Sequence, residues 1–142
     1  MPESPDTPPL PTGKDHCWLP NSRRSPALAR GLLRSFLPRV RGGERFAENG
    51  ELLVSELVTN ALVHGTRPGR MIQLGLEADE DLLWISVEDA CDTPPALSTE
   101  ADGESGRGLL LVDTLSQEWG WGPREGIGKR VWCACAPDPA VK

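Results

Sequence analysis

The stretch Glu51–Gly65, ELLVSELVTNALVHG, predicts the helix around which the rest of the fold is built. At 100° per residue its apolar side chains point in almost every direction, and a helix that is apolar nearly all round is normally buried. Within this apolar surround Glu56, Asn60 and His64 stand at i, i+4 and i+8 and form one row. A buried carboxylate or amide needs a partner, a metal or a ligand to offset the loss of water. The sequence therefore predicts a polar row that faces a binding site, although two polar residues satisfied within the protein would give the same pattern.

The length and charge of the chain limit the class of protein. Its 142 residues are enough for one domain with a moderate core, and its formal net charge of −6 argues against a general nucleic-acid binder. No apolar run approaches the roughly 20 residues that a membrane-spanning helix needs, and the proline-rich N-terminus does not resemble a signal peptide. We therefore expect a cytoplasmic protein that binds neither nucleic acid nor membrane.

The four cysteines do not have the spacing of a structural zinc site. Cys133 and Cys135 are two residues apart, Cys17 and Cys91 are solitary, and no Cys-x-x-Cys pair occurs. Structural zinc usually takes four ligands in recognisable pairs. The pattern favours partly buried thiols in a reducing compartment.

The ends of the chain differ in composition from its middle. Residues 1–15 are rich in proline and polar side chains and are expected to form a mobile tail. A domain over residues 16–136 follows, opening with a short strand at His16–Pro20, and residues 137–142 form a second, frayed tail. No internal repeat is present.

The first helix is predicted from its start signals. Ser25 is expected as N-cap with Pro26 at the first helical position, and Pro38 should end or kink the helix. Its apolar stripe should face the core, while the opposite face is basic. The pattern fits either a face that docks an acidic partner or a solvated face; the arginines of this segment are Arg23, Arg24, Arg30, Arg34, Arg39, Arg41 and Arg45.

The second half of the chain predicts strands around one long loop. Apolar and β-branched runs predict a hairpin, and an irregular stretch at residues 90–107 predicts a lid-like loop before a short helix from Gly108. Residues 41–50 read as a linker into the central helix. The order predicts an α+β fold, a two-layer sandwich with one mixed sheet covered on one face by helices. The predicted strands are Arg70–Glu77, Leu82–Glu88, Glu118–Trp121 and Lys129–Ala136.

Three sets of residues carry candidate chemistry. The amide oxygen of Asn60 suits Mg²⁺, and the carboxylate of Glu56, one turn away, could accept a proton from an attacking hydroxyl. Asp89 ends a strand, where it could accept a hydrogen bond from an exocyclic amino group such as that of adenine, or form a turn. Gly106 and Gly108 would let the backbone approach a phosphate at a helix start, or give a flexible helix entry.

Together these segments resemble the histidine-kinase-like ATPases (the GHKL superfamily), and within them the anti-sigma-factor serine/threonine kinases. The matching text is SELVTNALVHG at 55–65, VEDACDTPP at 87–95, GRGLLLVDTLSQEWG at 106–120 and GKRVW at 128–132. The resemblance covers roughly residues 18–136. It implies the Bergerat ATP-binding fold, with a mixed but mostly antiparallel sheet.

The resemblance also implies roles for individual residues. Asn60 corresponds to the ligand of Mg²⁺, Glu56 to the general base and Asp89 to the adenine-reading carboxylate. The remaining residues that it assigns to nucleotide binding are His64, Thr93, Gly106, Arg107, Gly108 and Leu109. In the last strand Arg130 stands where the family commonly has threonine, which we expect to weaken nucleotide binding or change how it is achieved.

For function, the resemblance implies a protein kinase with ATP and Mg²⁺ as cofactors. It would transfer the γ-phosphate to a serine of an anti-sigma antagonist protein, and in its free state it would sequester a sigma factor. The alternative is a catalytically silent, ATP-dependent binding switch of the same fold. A homodimer is compatible with either.

Overall fold

The computed structural model describes residues 8–65, 69–91, 104–124 and 126–139, and of residues 64, 65 and 104–109 it describes the backbone only. Within these ranges the chain forms five strands and three α-helices. The strands are β1 (Gly13–Leu19), β2 (Ile72–Ala78), β3 (Leu83–Asp89), β4 (Glu118–Pro123) and β5 (Lys129–Cys135); the helices are α1 (Ser25–Phe36), α2 (Ala47–Asn60) and α3 (Glu104–Leu115). None of the helices described is long and apolar enough to cross a membrane.

The strands form one sheet in the order β1-β2-β3-β5-β4. The predicted α+β fold with a helix-covered sheet is confirmed. Every pairing between the five described strands is antiparallel, so the parallel pair that a mixed sheet would contain is not found among them. Side chains alternate between the two faces of such a sheet. The core-facing members, all buried, are Ile72, Leu74, Leu76, Leu83, Ile85, Val87, Val131, Cys133 and Cys135.

The helices pack on this apolar face of the sheet. α2 contacts α1, α3, β3 and β5, and it contributes Leu53, Val54, Leu57 and Val58 to the core. Each of these four is at most 2% exposed. The prediction that the central helix is buried almost all round is wrong, because its buried residues lie on one side only. On the other side Leu52 is 44% exposed, and in the turn that continues the helix Val63 is 59% exposed. Central burial of α2 fixes the position of every polar group that it carries.

Both predicted tails make ordered contacts where the structure describes them. β1 begins at Gly13 rather than His16, because antiparallel pairing with β2 gives the backbone of this polar segment its hydrogen-bond partners. Leu10 forms a bridge with Val40. At the other end, the carboxylate of Asp138 accepts hydrogen bonds from the backbone N–H groups of Glu48 and Asn49, both at 3.0 Å.

These contacts explain why α2 begins at Ala47, inside the stretch predicted as a linker. The N-cap residue Phe46 has no capping side chain of its own, so Asp138 satisfies two exposed donors of the first turn from 90 and 89 residues away. Ser25 is likewise not the N-cap of α1. It is the first helical residue, and its hydroxyl donates to the carbonyl oxygen of Pro20 at 2.5 Å.

Three of the seven arginines before α2 form ion pairs within the described part of the chain. Ion pairs join Arg34 to Glu51, Arg39 to Asp15 and Arg41 to Glu80. All three pairs are partly exposed, so they add little to stability. They reduce the positive field that an acidic partner would meet, which favours the interpretation of a solvated face.

Candidate nucleotide site

The direction of α2 brings its last residues toward the end of β3. Near the start of the helix, a Cβ on Gly50 would lie 3.0 Å from Leu83, the first residue of β3. Helices rise about 1.5 Å and strands about 3.3 Å per residue, so ten helical and six strand residues cover comparable distances. The π-helical turn Ala61–Gly65, which continues α2, also contacts β3. The carboxyl ends of both elements therefore meet at one edge of the sandwich.

Asn60 is the most informative residue at this edge. It is 5% exposed, and no described residue accepts a hydrogen bond from its Nδ2 atom. Leaving a buried amide group unpaired costs about 1–3 kcal/mol. Since the oxygen and nitrogen of a side-chain amide are assigned from their surroundings, the orphaned atom is equally an amide oxygen awaiting a cation or a nitrogen awaiting an acceptor. Either way, one atom of the side-chain amide can still form a hydrogen bond or a coordination bond to a ligand.

Glu56 lies one turn before Asn60 on the same helix and is half-buried. The i, i+4 spacing places both side chains on one side of α2. The predicted polar row is thus present for these two residues. For His64, the third member, the backbone lies in the π-helical turn, and its side chain lies outside what the structure describes.

Asp89 is held by a buried ion pair with Lys129. The Lys129 Nζ atom lies 3.0 Å from Oδ2 and 3.2 Å from Oδ1 of Asp89, and the two residues are 2% and 1% exposed. The backbone N–H of Cys91 also donates to Oδ1, at 2.9 Å. Burial raises the pKa of the Asp89 carboxyl; the Cys91 amide and Lys129 oppose this rise, with a smaller contribution from Arg124. The carboxylate is therefore a fixed, charge-compensated group.

A close backbone approach supports this arrangement. Gly128, directly before Lys129, has φ +124°, and a Cβ there would lie 1.9 Å from the carbonyl oxygen of Asp89. Only glycine fits so near another backbone. Glycine at this position lets β3 and β5 end side by side, which brings Asp89 and Lys129 together.

The structure places Arg130 away from Asp89. Lys129 pairs with Asp89 in the sheet and shares the core-facing side with Val131, whereas Arg130 points to the opposite, open face. There Arg130 lines a cavity of about 430 Å³ with Trp84 and Ser86. Arg130 therefore does not enter the Asp89 site, and the expected weakening of nucleotide binding through Arg130 has no support in the structure.

Lys129 itself was missed as a site residue. The signal was present: Val131, Cys133 and Cys135 alternate as core residues, and this period of two continues back to Lys129. A lysine at a core position requires a buried partner. Asp89, at the end of another core strand, is a natural candidate for it.

The glycine motif lies inside a helix rather than before one. α3 begins at Glu104, so Gly106, Arg107, Gly108 and Leu109 all belong to its first turns. Val112 is fully buried and anchors the helix in the core, and such packing outweighs the poor helix propensity of glycine. Gly106 still belongs to the first three residues, whose N–H groups have no acceptor within the helix. Thr93 lies outside the described residues.

All four cysteines fall within the described part of the chain, and none forms a disulfide there. Burial raises the pKa of Cys133 to about 12 and that of Cys135 to about 11.

No cluster of three or more His, Cys, Asp or Glu side chains is found among the residues described. The donor set at Asn60 and Glu56 fits a Mg²⁺ that takes most of its ligands from phosphates and water, and not an ion caged by protein alone.

A helix-covered antiparallel sheet, with polar groups buried where its central helix ends, has the architecture of a two-layer ATP-binding sandwich. A scan against protein-family models matches residues 19–133 to the histidine kinase-like ATPase domain. The match spans most of the chain, so the protein belongs to the histidine kinase-like ATPase family. A search of curated proteins finds no match. Membership of this family implies that the chain binds ATP.

Proposed function

We propose that this protein is an ATP-dependent serine/threonine kinase of the anti-sigma-factor type. The observation that carries the proposal is Asn60, which is buried at the end of α2 on the side of the sheet that holds Asp89 and whose Nδ2 atom has no acceptor among the described residues. A protein retains such a destabilising group when a ligand completes it. ATP with Mg²⁺ offers both an acceptor and a cation for it.

In this proposal each residue has one task. Asp89 accepts a hydrogen bond from the adenine amino group, and Asn60 provides a protein ligand for Mg²⁺. The N–H groups at the start of α3, including that of Gly106, face the phosphates. Bound Mg²⁺ would supply positive charge beside the terminal phosphates.

Glu56 is the proposed general base. It accepts the proton of a serine hydroxyl on the substrate protein while the serine oxygen forms a bond to the γ-phosphorus. The bond from that phosphorus to the bridging oxygen breaks, and ADP leaves with the electron pair. Phosphoryl transfer depends mainly on positioning and electrostatic stabilisation, so the loss of the base should slow transfer more than it weakens ATP binding.

The proposed substrate follows from the sequence resemblance. It is an anti-sigma antagonist protein, phosphorylated on serine, and the second partner is a sigma factor that the unoccupied kinase sequesters. A homodimer of the kinase is part of the same proposal.

Transfer of label from γ-labelled ATP tests this function. The protein is incubated with Mg²⁺, labelled ATP and a candidate antagonist, beside Glu56→Ala and Asn60→Ala. Glu48→Gln is the matched control, since Glu48 is an exposed glutamate on the same helix. We expect label on the antagonist with the wild type and the control, and a loss of at least about 100-fold with Glu56→Ala, in the range for general-base removal.

Two other outcomes separate the alternatives. Mg²⁺-dependent ATP binding without transfer to any antagonist would identify a binding switch that does not turn over. A wild-type protein that binds no ATP in the presence of Mg²⁺ would overturn both the kinase and the switch.

A further inference from the structure

The hydrogen bonds of Asp89 leave little of its carboxylate for a ligand. A carboxylate has about four acceptor positions, two on each oxygen. Oδ1 accepts from the Cys91 N–H and from Lys129 Nζ, and Oδ2 lies 3.0 Å from the same Nζ atom in the ion pair. Both positions on Oδ1 are thus filled by described residues. A ligand is left with Oδ2.

Lys129 is equally committed to this arrangement. Its ammonium has three N–H donors, and three acceptors surround it: the two oxygens of Asp89 and the carbonyl oxygen of Cys91, at 3.4 Å. At 2% exposure the ammonium has almost no contact with solvent. Removing one member of such a pair leaves a charge buried alone, so the lysine is held in place strongly. Its contact with Oδ1 and Oδ2 is therefore a fixed feature of the site.

We propose that Lys129 is a specificity-determining residue of the nucleotide site, restricting Asp89 to bases that offer it a single N–H donor. The inference rests on the proposed role of Asp89 as the base-reading carboxylate. Adenine presents one amino group and needs one acceptor position, which Oδ2 alone can offer. Guanine presents adjacent N1–H and N2–H donors, which a carboxylate accepts together only when both of its oxygens are available.

Burial adds to this restriction. Asp89 is 1% exposed, so its carboxylate is closely packed by the protein. Lys129 and the Cys91 N–H hold the carboxylate in one orientation. Oδ1 remains occupied, and the carboxylate cannot turn to present both oxygens.

Binding of three nucleotides to the wild-type protein tests the inference directly. ATP, GTP and ITP are titrated calorimetrically with Mg²⁺; ITP differs from GTP only in lacking the N2 amino group. We expect ATP to bind most tightly and GTP to bind no more than about twofold more tightly than ITP, because the second donor of guanine finds no acceptor. GTP binding about tenfold or more tighter than ITP would show that both oxygens are available and would overturn the proposal.

Two substitutions of Lys129 test whether it acts by occupying the Asp89 carboxylate or only by supporting the structure around it. Lys129→Met frees an oxygen of Asp89, and we expect the GTP-to-ITP affinity ratio to rise about tenfold, by one additional hydrogen bond to a charged group. Lys129→Gln keeps an N–H donor beside the carboxylate, and its ratio should stay near that of the wild type. A merely structural role would weaken all three nucleotides equally in Lys129→Met and leave the ratio unchanged, which would contradict the proposal.

Circular dichroism of each variant reports folding. If Lys129→Met does not fold, the comparison of GTP with ITP on the wild type still decides the matter. Wild-type protein that binds none of the three nucleotides would overturn the proposed function and this inference with it. Tight ATP binding together with a strong preference for GTP over ITP would overturn this inference alone.

Discussion

At the residue scale, the site is built from groups that reduce the stability of the empty protein. Asn60 buries an Nδ2 atom that has no acceptor among the described residues, and Asp89 with Lys129 buries two charges. A buried ion pair often contributes no more stability than apolar residues of similar volume would. Such groups are expected where a ligand later supplies the missing interactions, which supports the proposed nucleotide site at the end of α2.

Gly128 provides a prediction at this scale. A Cβ there meets the Asp89 carbonyl oxygen, and φ is positive, so Gly128→Ala combines a clash with backbone strain. We expect a loss of more than about 2 kcal/mol in the free energy of unfolding. ATP affinity should fall with it, because the end of β3 is displaced. Urea unfolding and calorimetry measure the two effects.

The matched control for this change is Gly126→Ala. Gly126 also has positive φ, at +86°, but a Cβ there meets nothing within 4 Å. This variant should lose about 1 kcal/mol from strain alone and keep its ATP affinity. Equal losses of stability in both variants would show that the contact with Asp89 is unimportant.

At the element scale, the start of α2 depends on the far end of the chain. Asp138→Ala removes the acceptors of the Glu48 and Asn49 N–H groups, and we expect a loss of about 1 kcal/mol, typical of an N-cap. Asp138→Asn keeps an amide oxygen and should retain most of that stability. Urea denaturation compares the two. Wild-type stability in Asp138→Ala would mean that the cap contributes nothing.

β5 gives an element-scale prediction about pH. Burial, with the neighbouring Cys135, raises the pKa of the Cys133 thiol from 9.0 to about 12; burial, then Asp138, raises that of Cys135 to about 11. Above pH 9 the unfolded chain has released these protons and the folded chain has not. The free energy of unfolding therefore falls as pH rises from about 9 toward 12. Tyrosine does not contribute, because the chain contains none.

Urea midpoints at several pH values between 7.5 and 10.5 measure this slope. We expect Cys133→Ala to flatten it, although its cavity lowers stability at every pH. Cys91→Ala leaves both buried thiols in place and should keep the wild-type slope. An unchanged slope in Cys133→Ala would show that this thiol does not couple to folding.

At the scale of the whole molecule, ligand binding should offset the loss of stability caused by the buried polar groups of the site. A ligand at 100 times its dissociation constant stabilises the folded state by about 2.7 kcal/mol. For a chain of this size, that corresponds to a rise in melting temperature of roughly 8–12 °C. We expect this shift with Mg²⁺ and ATP for the wild type.

The same measurement isolates the role of Asn60. Asn60→Ala should equal or exceed the wild type in stability without nucleotide, because the orphaned amide is gone, and it should lose most of the shift. Asn49→Ala, the same substitution near the other end of α2, should keep the full shift. A full rise in melting temperature in Asn60→Ala would show that Asn60 does not contribute to nucleotide binding.

Much of the fold could be predicted because its signals are local. The hairpin of β2 and β3 was predicted from two apolar runs around a polar turn, in which the Asp79 side chain accepts from the N–H groups of Asp81 and Leu82. The apolar residues of α2 predict that the helix is buried, but only one of its sides is. The start of α3 was missed because Gly106 and Gly108 have poor helix propensity, and its position depends on the packing of Val112.

The sequence by itself determined the type of each main element, the polar pair Glu56 and Asn60 on one side of α2, and the resemblance to an ATP-binding family. The elements and the polar pair depend on residues within a few positions of one another, and the resemblance depends on the order of such local motifs along the chain. The period of two in β5 places Lys129 on the core side, but only the tertiary structure decided that its partner is Asp89 and that Asp138 caps α2. Those contacts join residues 40 to 90 positions apart. They depend on which strand lies beside which and on where the chain ends are held, and no local pattern specifies either.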